Sequence, residues 1–130
     1  MIRQIQENEF TEAINRDITT IVKFEADWCG PCKAITPAVE NISNEWSDKK
    51  VEFVALDVDK APTVATNYSI HSVPTFIAYR NGQPVSEVRS MINAPNIKKT
   101  FEKHIQTLTL DTSEFMEEND EMDDSESTNF

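Results

Sequence analysis

No apolar run in the 130 residues approaches the roughly 18 needed to cross a bilayer, which excludes an integral helical membrane protein. Only two cysteines exist, Cys29 and Cys32, so the stapled framework of a small secreted protein cannot be built. Positive charge is scarce: 12 Lys and Arg stand against 23 Asp and Glu, a net of -11 that repels phosphate backbones and anionic lipid. Neither nucleic acid nor a membrane is an expected partner. The segment Met1 to Glu7 lacks the apolar stretch of a secretory signal and is too acidic for a transit peptide, so the expected location is the cytoplasm. No internal repeat is present.

What is there fits one soluble globular domain, with 38% hydrophobic and 27% charged residues. The acidity is uneven. Residues 111–130 hold nine acids and no base, leaving 14 acids against 12 bases, a net of -2, on residues 1–110. The apolar side chains after residue 110 are Phe115, Met116, Met122 and Phe130, too few for burial to offset the entropy of ordering. The expected division is a folded domain over 1–108 and an acidic, disordered tail over 109–130.

Alternation over Ile2–Ile5 predicts a short edge strand, and Phe10, Ala13 and Ile14 recur at helical spacing behind Asn8, a candidate cap. Thr20–Ala26 (TIVKFEA) predicts a central strand covered on both faces, interrupted by Lys23 and Glu25. A helix follows with Ile35, Ala38, Val39, Ile42 and Trp46 on one stripe and a kink at Pro37. Val51–Val58 reads as a buried strand and Pro62–Tyr68 as a short helix. Thr75–Arg80 and Pro84–Arg89 read as strands joined by Asn81-Gly82, the strongest short-range hairpin signal. Asn93, Pro95, Ile97, Phe101, His104, Ile105 and Leu108 mark a last helix. The order is βαβ units plus an antiparallel pair, an α/β fold.

Between the central strand and the long helix lies Trp28-Cys29-Gly30-Pro31-Cys32-Lys33. Thiols three residues apart at a helix start share one face and can close a small ring, so a reversible disulfide is geometrically natural. Unpaired N–H groups and the macrodipole at the helix N-terminus favour a Cys29 thiolate, while Cys32 lies one turn deeper. Cys29 is therefore the expected nucleophile and Cys32 the resolving thiol. Pro31 fixes φ between them, and Gly30 leaves the attacking sulfur open to approach. Two plainer readings stand beside this one. Half of a zinc site would need His71, His104 or carboxylates as its other ligands, although no paired-ligand spacing is repeated; alternatively the thiols are inert and structural.

The segment resembles the thioredoxin family. Trp-Cys-Gly-Pro-Cys-Lys at 28–33 after an apolar strand, Pro37 in the next helix, Val73-Pro74-Thr75 before the hairpin and Asn81-Gly82 in its turn match it in order and spacing, over about residues 1–108. The resemblance implies a thioredoxin fold, a central mixed β-sheet flanked by helices, with Pro74 in a cis peptide facing the dithiol. It implies that the main chain of Val73 pairs with a substrate peptide, that Trp28 and Met91 belong to the contact surface, and that Gly30, Pro31 and Lys33 support the cysteines. It further implies no bound metal or organic cofactor, a Cys29–Cys32 disulfide reduced by a thioredoxin reductase that draws on NADPH, disulfide-containing protein substrates, and a monomer serving electron transport and redox homeostasis.

Departures from the family are specific. Lys23 stands where members usually bury an aspartate that manages the resolving thiol's proton, Glu25 replaces a common tryptophan, and Ala55 a frequent lysine. Two apart on a strand, Lys23 and Glu25 point to one face, where they either form a relocated ion pair beneath the dithiol or snorkel to solvent. Ser72 and Ser90 occupy glycine positions, and Arg89 and Met91 give the surface around Trp28 a cationic, flexible edge. His71 reads as a surface bystander and His104 as structural. The reading is a protein thiol–disulfide oxidoreductase that reduces protein disulfides through Cys29-Gly30-Pro31-Cys32. A redox-gated adaptor or binding module on the same fold is the other class, favoured by Lys23, Ser72, Ser90 and the acidic tail.

Overall fold

β-Branched Thr19, Thr20, Ile21 and Val22, followed by Phe24, favour extended backbone, and Thr19–Glu25 forms a strand, β2, after β1 (Ile2–Gln4). With β3 (Val51–Asp57), β4 (Thr75–Arg80) and β5 (Gln83–Val88) it makes a five-stranded sheet in the order β1-β3-β2-β4-β5. β1 and β2 run parallel to β3, whereas β4 runs antiparallel to β2 and β5. This is the mixed sheet expected. The computed structural model describes residues 2–89, Lys99, Phe101 and Glu102. It divides the chain into two units, 1–98 and 99–130; the described residues of the second are helical. Ser90, Met91, Asn93, Pro95, His104 and the expected tail over 109–130 lie outside the described residues.

Among the described residues the first unit holds three α-helices: α1 (Phe10–Ile14), α2 (Gly30–Glu45) and α3 (Pro62–Asn67). Asn8 does not cap α1. It sits inside a 3-10 turn, Glu7–Glu9, that begins at Gln6, whose backbone N–H donates to Glu9 Oε1 at 2.8 Å. The entry to the helix is thus closed by a longer side chain three residues on. α2 continues through Pro37, which cannot donate the bond that the Lys33 carbonyl would otherwise receive.

Alternation along the strands sorts the core. Val22, Phe24, Val54, Leu56, Ile77 and Tyr79 form one cluster with Phe10 and Ile14 of α1 and Val64 of α3. α2 covers the opposite face: Trp46, at its end, lies 6.1 Å from the Phe53 ring, and Thr36 Oγ1 accepts a 3.0 Å bond from Lys23 Nζ. The Asn81-Gly82 turn has φ of 52° and 83°, the doubly left-handed geometry of a two-residue hairpin loop closing between Arg80 and Gln83. Its N–H groups donate to Arg16 and Ile14 carbonyls, both at 2.9 Å, tying the hairpin to the end of α1.

Tyr79 is fully buried, edge-on to Phe10 and Tyr68 at 5.5 and 5.3 Å, and its hydroxyl has no hydrogen-bond partner among the described residues. Burial, with a further contribution from Tyr68, pushes its ionisation far above the usual tyrosine range near 10. Tyr79→Phe removes an unsatisfied hydroxyl without changing ring packing, so urea denaturation should show equal or greater stability, by about 1 kcal/mol. The sign of the pH effect follows from the raised folded value: stability is full below about pH 10 and lost above it, as the unfolded phenol ionises and the folded one does not. The advantage of the Phe variant should therefore widen above pH 10. A variant clearly less stable than wild type at neutral pH would show that the hydroxyl is bonded.

Candidate active site

β2 runs out of the sheet at Glu25, and α2 starts at Gly30, so the four intervening residues form the turn that carries the dithiol. Cys29 is the N-cap of α2: its extended backbone aims Sγ back over the first turn, where it accepts the Cys32 N–H at 3.1 Å. Cys29 and Cys32 form a disulfide, with Cα atoms 5.3 Å apart. A sulfur that takes a cap bond from an orphan N–H is the one whose negative charge the helix end stabilises.

The Val73–Pro74 bond is cis, and the Val73 carbonyl oxygen lies 3.8 Å from Cys29 Sγ. Ala26, Val58 and Val73 pack around the two cysteines. This corrects one expectation: Gly30 does not leave the attacking sulfur open, because Cys29 is only 2% exposed once these apolar neighbours close over it. A Cβ built on Gly30 would meet nothing within 4 Å. Pro31 and Lys33 are exposed on the first turn, and Trp28, 71% exposed, is held at its polar edge by an indole N–H donated to Asp59 Oδ2 at 2.7 Å. Asp59 is itself oriented, its N–H donating to Asp57 Oδ1 at 2.8 Å.

Beneath this surface Lys23 is 2% exposed and pairs with Glu25, the relocated ion pair rather than two snorkelling side chains. Lys23 also donates to Thr36 Oγ1, which donates to the Cys32 carbonyl at 2.9 Å. Thr36 and Asp59 escaped the sequence reading. A threonine four residues after Cys32 can bond back to its carbonyl, which is the signal that could have found Thr36; nothing local marks Asp59 as the partner of Trp28. Ser72 and His71 are exposed on the loop before β4, and Met91 lies outside the described residues. Among the described residues no group of three or more His, Cys, Asp or Glu could hold a metal ion.

The chain matches the Thioredoxin family model over residues 1–107. The chain belongs to the thioredoxin family. It is 38% identical over 89 residues to thioredoxin-1 of Schizosaccharomyces pombe, covering 68% of this chain and 84% of that one. Against the thioredoxin of Staphylococcus epidermidis it is 34% identical over 104 residues, covering 80% and 98%. The solved thioredoxin structure of Malassezia sympodialis superposes with a TM-score of 0.71 at 30% identity, covering 80% of this chain and 90% of that chain. With Cys29–Cys32 at the thioredoxin active-site position, the chain is a thiol–disulfide oxidoreductase, and the adaptor reading is not favoured. Thioredoxins act without a bound prosthetic group on disulfide substrates and are themselves reduced by a thioredoxin reductase. No helix of the described residues is long and apolar enough to cross a membrane.

The Arg89 guanidinium donates to the Tyr68 and Ser69 carbonyls, both at 2.8 Å, and pairs with Glu87 at 3.1 Å, so Arg89 fastens the end of α3. Ser69 has a left-handed φ of 54°, and Thr75 Oγ1 donates to the Ser72 carbonyl at 2.8 Å, so the loop leading to Val73 is fastened near both ends. Arg89→Met leaves the two carbonyls without their charged donor and should cost about 1–3 kcal/mol. The check is the urea midpoint; an unchanged value would mean that the loop holds itself.

Proposed function

We propose that the protein reduces disulfides of other proteins by a two-step exchange in which Cys29 attacks and Cys32 resolves. The Cys29 thiolate bonds to one substrate sulfur and expels the other as a thiolate. Cys32, deprotonated, then bonds to Cys29 Sγ and expels the first sulfur, so two electrons pass to the substrate and the protein is left as the disulfide. The observation that carries this assignment is the 3.1 Å bond from the Cys32 N–H to Cys29 Sγ at the start of α2. Trp28 offers a fixed apolar face, and the Val73 backbone beside cis Pro74 offers strand-like pairing, to a substrate segment laid across Cys29. Gly30, Pro31 and Lys33 shape the first turn, and Met91 belongs to the same contact surface. A reductase drawing on NADPH restores the dithiol, and the protein works as a cytoplasmic monomer in electron transport and redox homeostasis.

Reduction of insulin disulfides tests the order of attack. Cys29→Ser should abolish both turnover and adduct, whereas Cys32→Ser should abolish turnover and accumulate a mixed disulfide on Cys29, visible on a non-reducing gel. An adduct forming only on Cys32 would reverse the roles. In Cys32→Ser, iodoacetamide should alkylate Cys29 with a midpoint below the free-thiol value of about 8.5; a midpoint at or above it would remove the helix-end argument.

Residues 111–130 add nine negative charges to a body that is close to neutral, a field screened over about 8 Å at physiological salt. The proposed use of this segment is to select partners by charge, with folding and the dithiol reaction left to residues 1–108. Truncation after Leu110 should slow reduction of basic substrates and speed that of acidic ones, at low salt only. Identical rates throughout would reduce the segment to a solubilising one.

A further inference from the structure

One buried cation takes no part in the exchange just described. Lys23 lies in the middle of β2, and burying an ammonium there is strongly unfavourable unless it is paired and bonded. It has both: the Glu25 carboxylate and the Thr36 hydroxyl. Its register partners across the sheet, Ala55 on β3 and Phe76 on β4, bring no charge. From α2 the facing groups are Thr36 and, one turn back, the buried Cys32, to whose carbonyl Thr36 is bonded. Glu25 and Asp57 lie two residues further along the same face. Glu25 opposes Asp57 in the register, and both line a groove of about 660 Å³ with Asp27 and Lys60.

The two halves of the pair are therefore screened unequally. The Glu25 side chain is 21% exposed and lines the groove, whereas the Lys23 side chain is 2% exposed beneath Thr36 of α2. A carboxylate beside water is attenuated more strongly than an ammonium in a packed layer, and the ammonium is the charge joined to Cys32 through Thr36. We infer that Lys23 is a positioning residue for the exchange reaction, its ammonium stabilising Cys32 as the thiolate that resolves the mixed disulfide. The same charge favours the reduced dithiol over the disulfide, because only the reduced form carries negative sulfur. This rests on the assignment of Cys32 as the resolving thiol.

The test isolates each part. In the full chain with Cys29→Ser, iodoacetamide alkylation of Cys32 near neutral pH should slow about three- to tenfold when Lys23→Met is added, with its pH midpoint moved upward, and should return with Lys23→Arg. In the two-cysteine protein, the equilibrium protein dithiol plus oxidised glutathione against protein disulfide plus two reduced glutathiones should shift about three- to tenfold toward the protein disulfide in Lys23→Met. Because Lys23→Met strands the Glu25 carboxylate, the neutral pair Lys23→Met with Glu25→Gln is the second variant, and it should show both shifts while keeping the wild-type urea midpoint. A wild-type alkylation profile and a wild-type glutathione equilibrium in the neutral pair would overturn the inference. Alkylation of Cys32 by iodoacetamide does not depend on which cysteine attacks substrate, so this failure is separate from a reversal of roles in the adduct experiment.

Discussion

A side chain on a central strand is buried only when another element covers its face of the sheet, and β2, held by β3 on one side and β4 on the other, has α2 over the face that Lys23 presents. Lys23 is therefore committed to the interior by the sheet and α2 together, and the surrounding structure answers to that commitment. Glu25 follows at the one spacing that returns a carboxylate to the same face, and Thr36 presents a hydroxyl from the helix that covers it. The same strand ends in the dithiol turn, so the position of the charge and the position of the chemistry are set by one piece of backbone. Replacing such a pair with apolar residues often leaves stability unchanged or improved, so stability is a weak reason for its presence.

The cap of α2 couples folding to chemistry in a second way. An N-cap is ordinarily a hydroxyl or carboxamide that satisfies an orphan N–H. Here a sulfur fills that position, and it accepts the Cys32 N–H. A thiolate makes a better acceptor than a thioether-like disulfide sulfur, so the helix end gains most from the reduced form. The helix start and the buried ammonium thus act in the same direction on the two cysteines, one from the solvent side of the turn and one from beneath.

What the sequence displayed depended on how local each signal was. The Asn81-Gly82 hairpin was legible because both residues tolerate left-handed backbone and only two of them fit between the strands. The dithiol was legible because spacing, helix start and proline lie within six residues. The partners of Arg89 were not legible because the carbonyls at the end of α3 are twenty residues away and have no local mark. The openness of Cys29 was misread for a related reason: Gly30 removes one neighbour, but Val73, Ala26 and Val58 arrive from other elements and close the site. Lys23 and Glu25 fell between these cases. Their parity on the strand was readable, yet whether they paired depended on α2 covering that face.

Closure over Cys29 bears on selectivity. A cysteine exposed by only 2% accepts substrates whose scissile disulfide can be brought to a narrow approach, and the groups around that approach are fixed before a substrate arrives. Trp28 is pinned by Asp59, Asp59 by Asp57, and the Val73 loop by Arg89 and Thr75. Preorganisation of this kind lowers the entropy lost on docking and penalises substrates that need the rim to move. On the proposed pairing with the Val73 backbone, the flexible part of recognition lies with the substrate segment, which has to extend to meet that edge. A disulfide in a mobile or locally unfolded segment can meet that requirement, whereas one locked inside a rigid domain cannot.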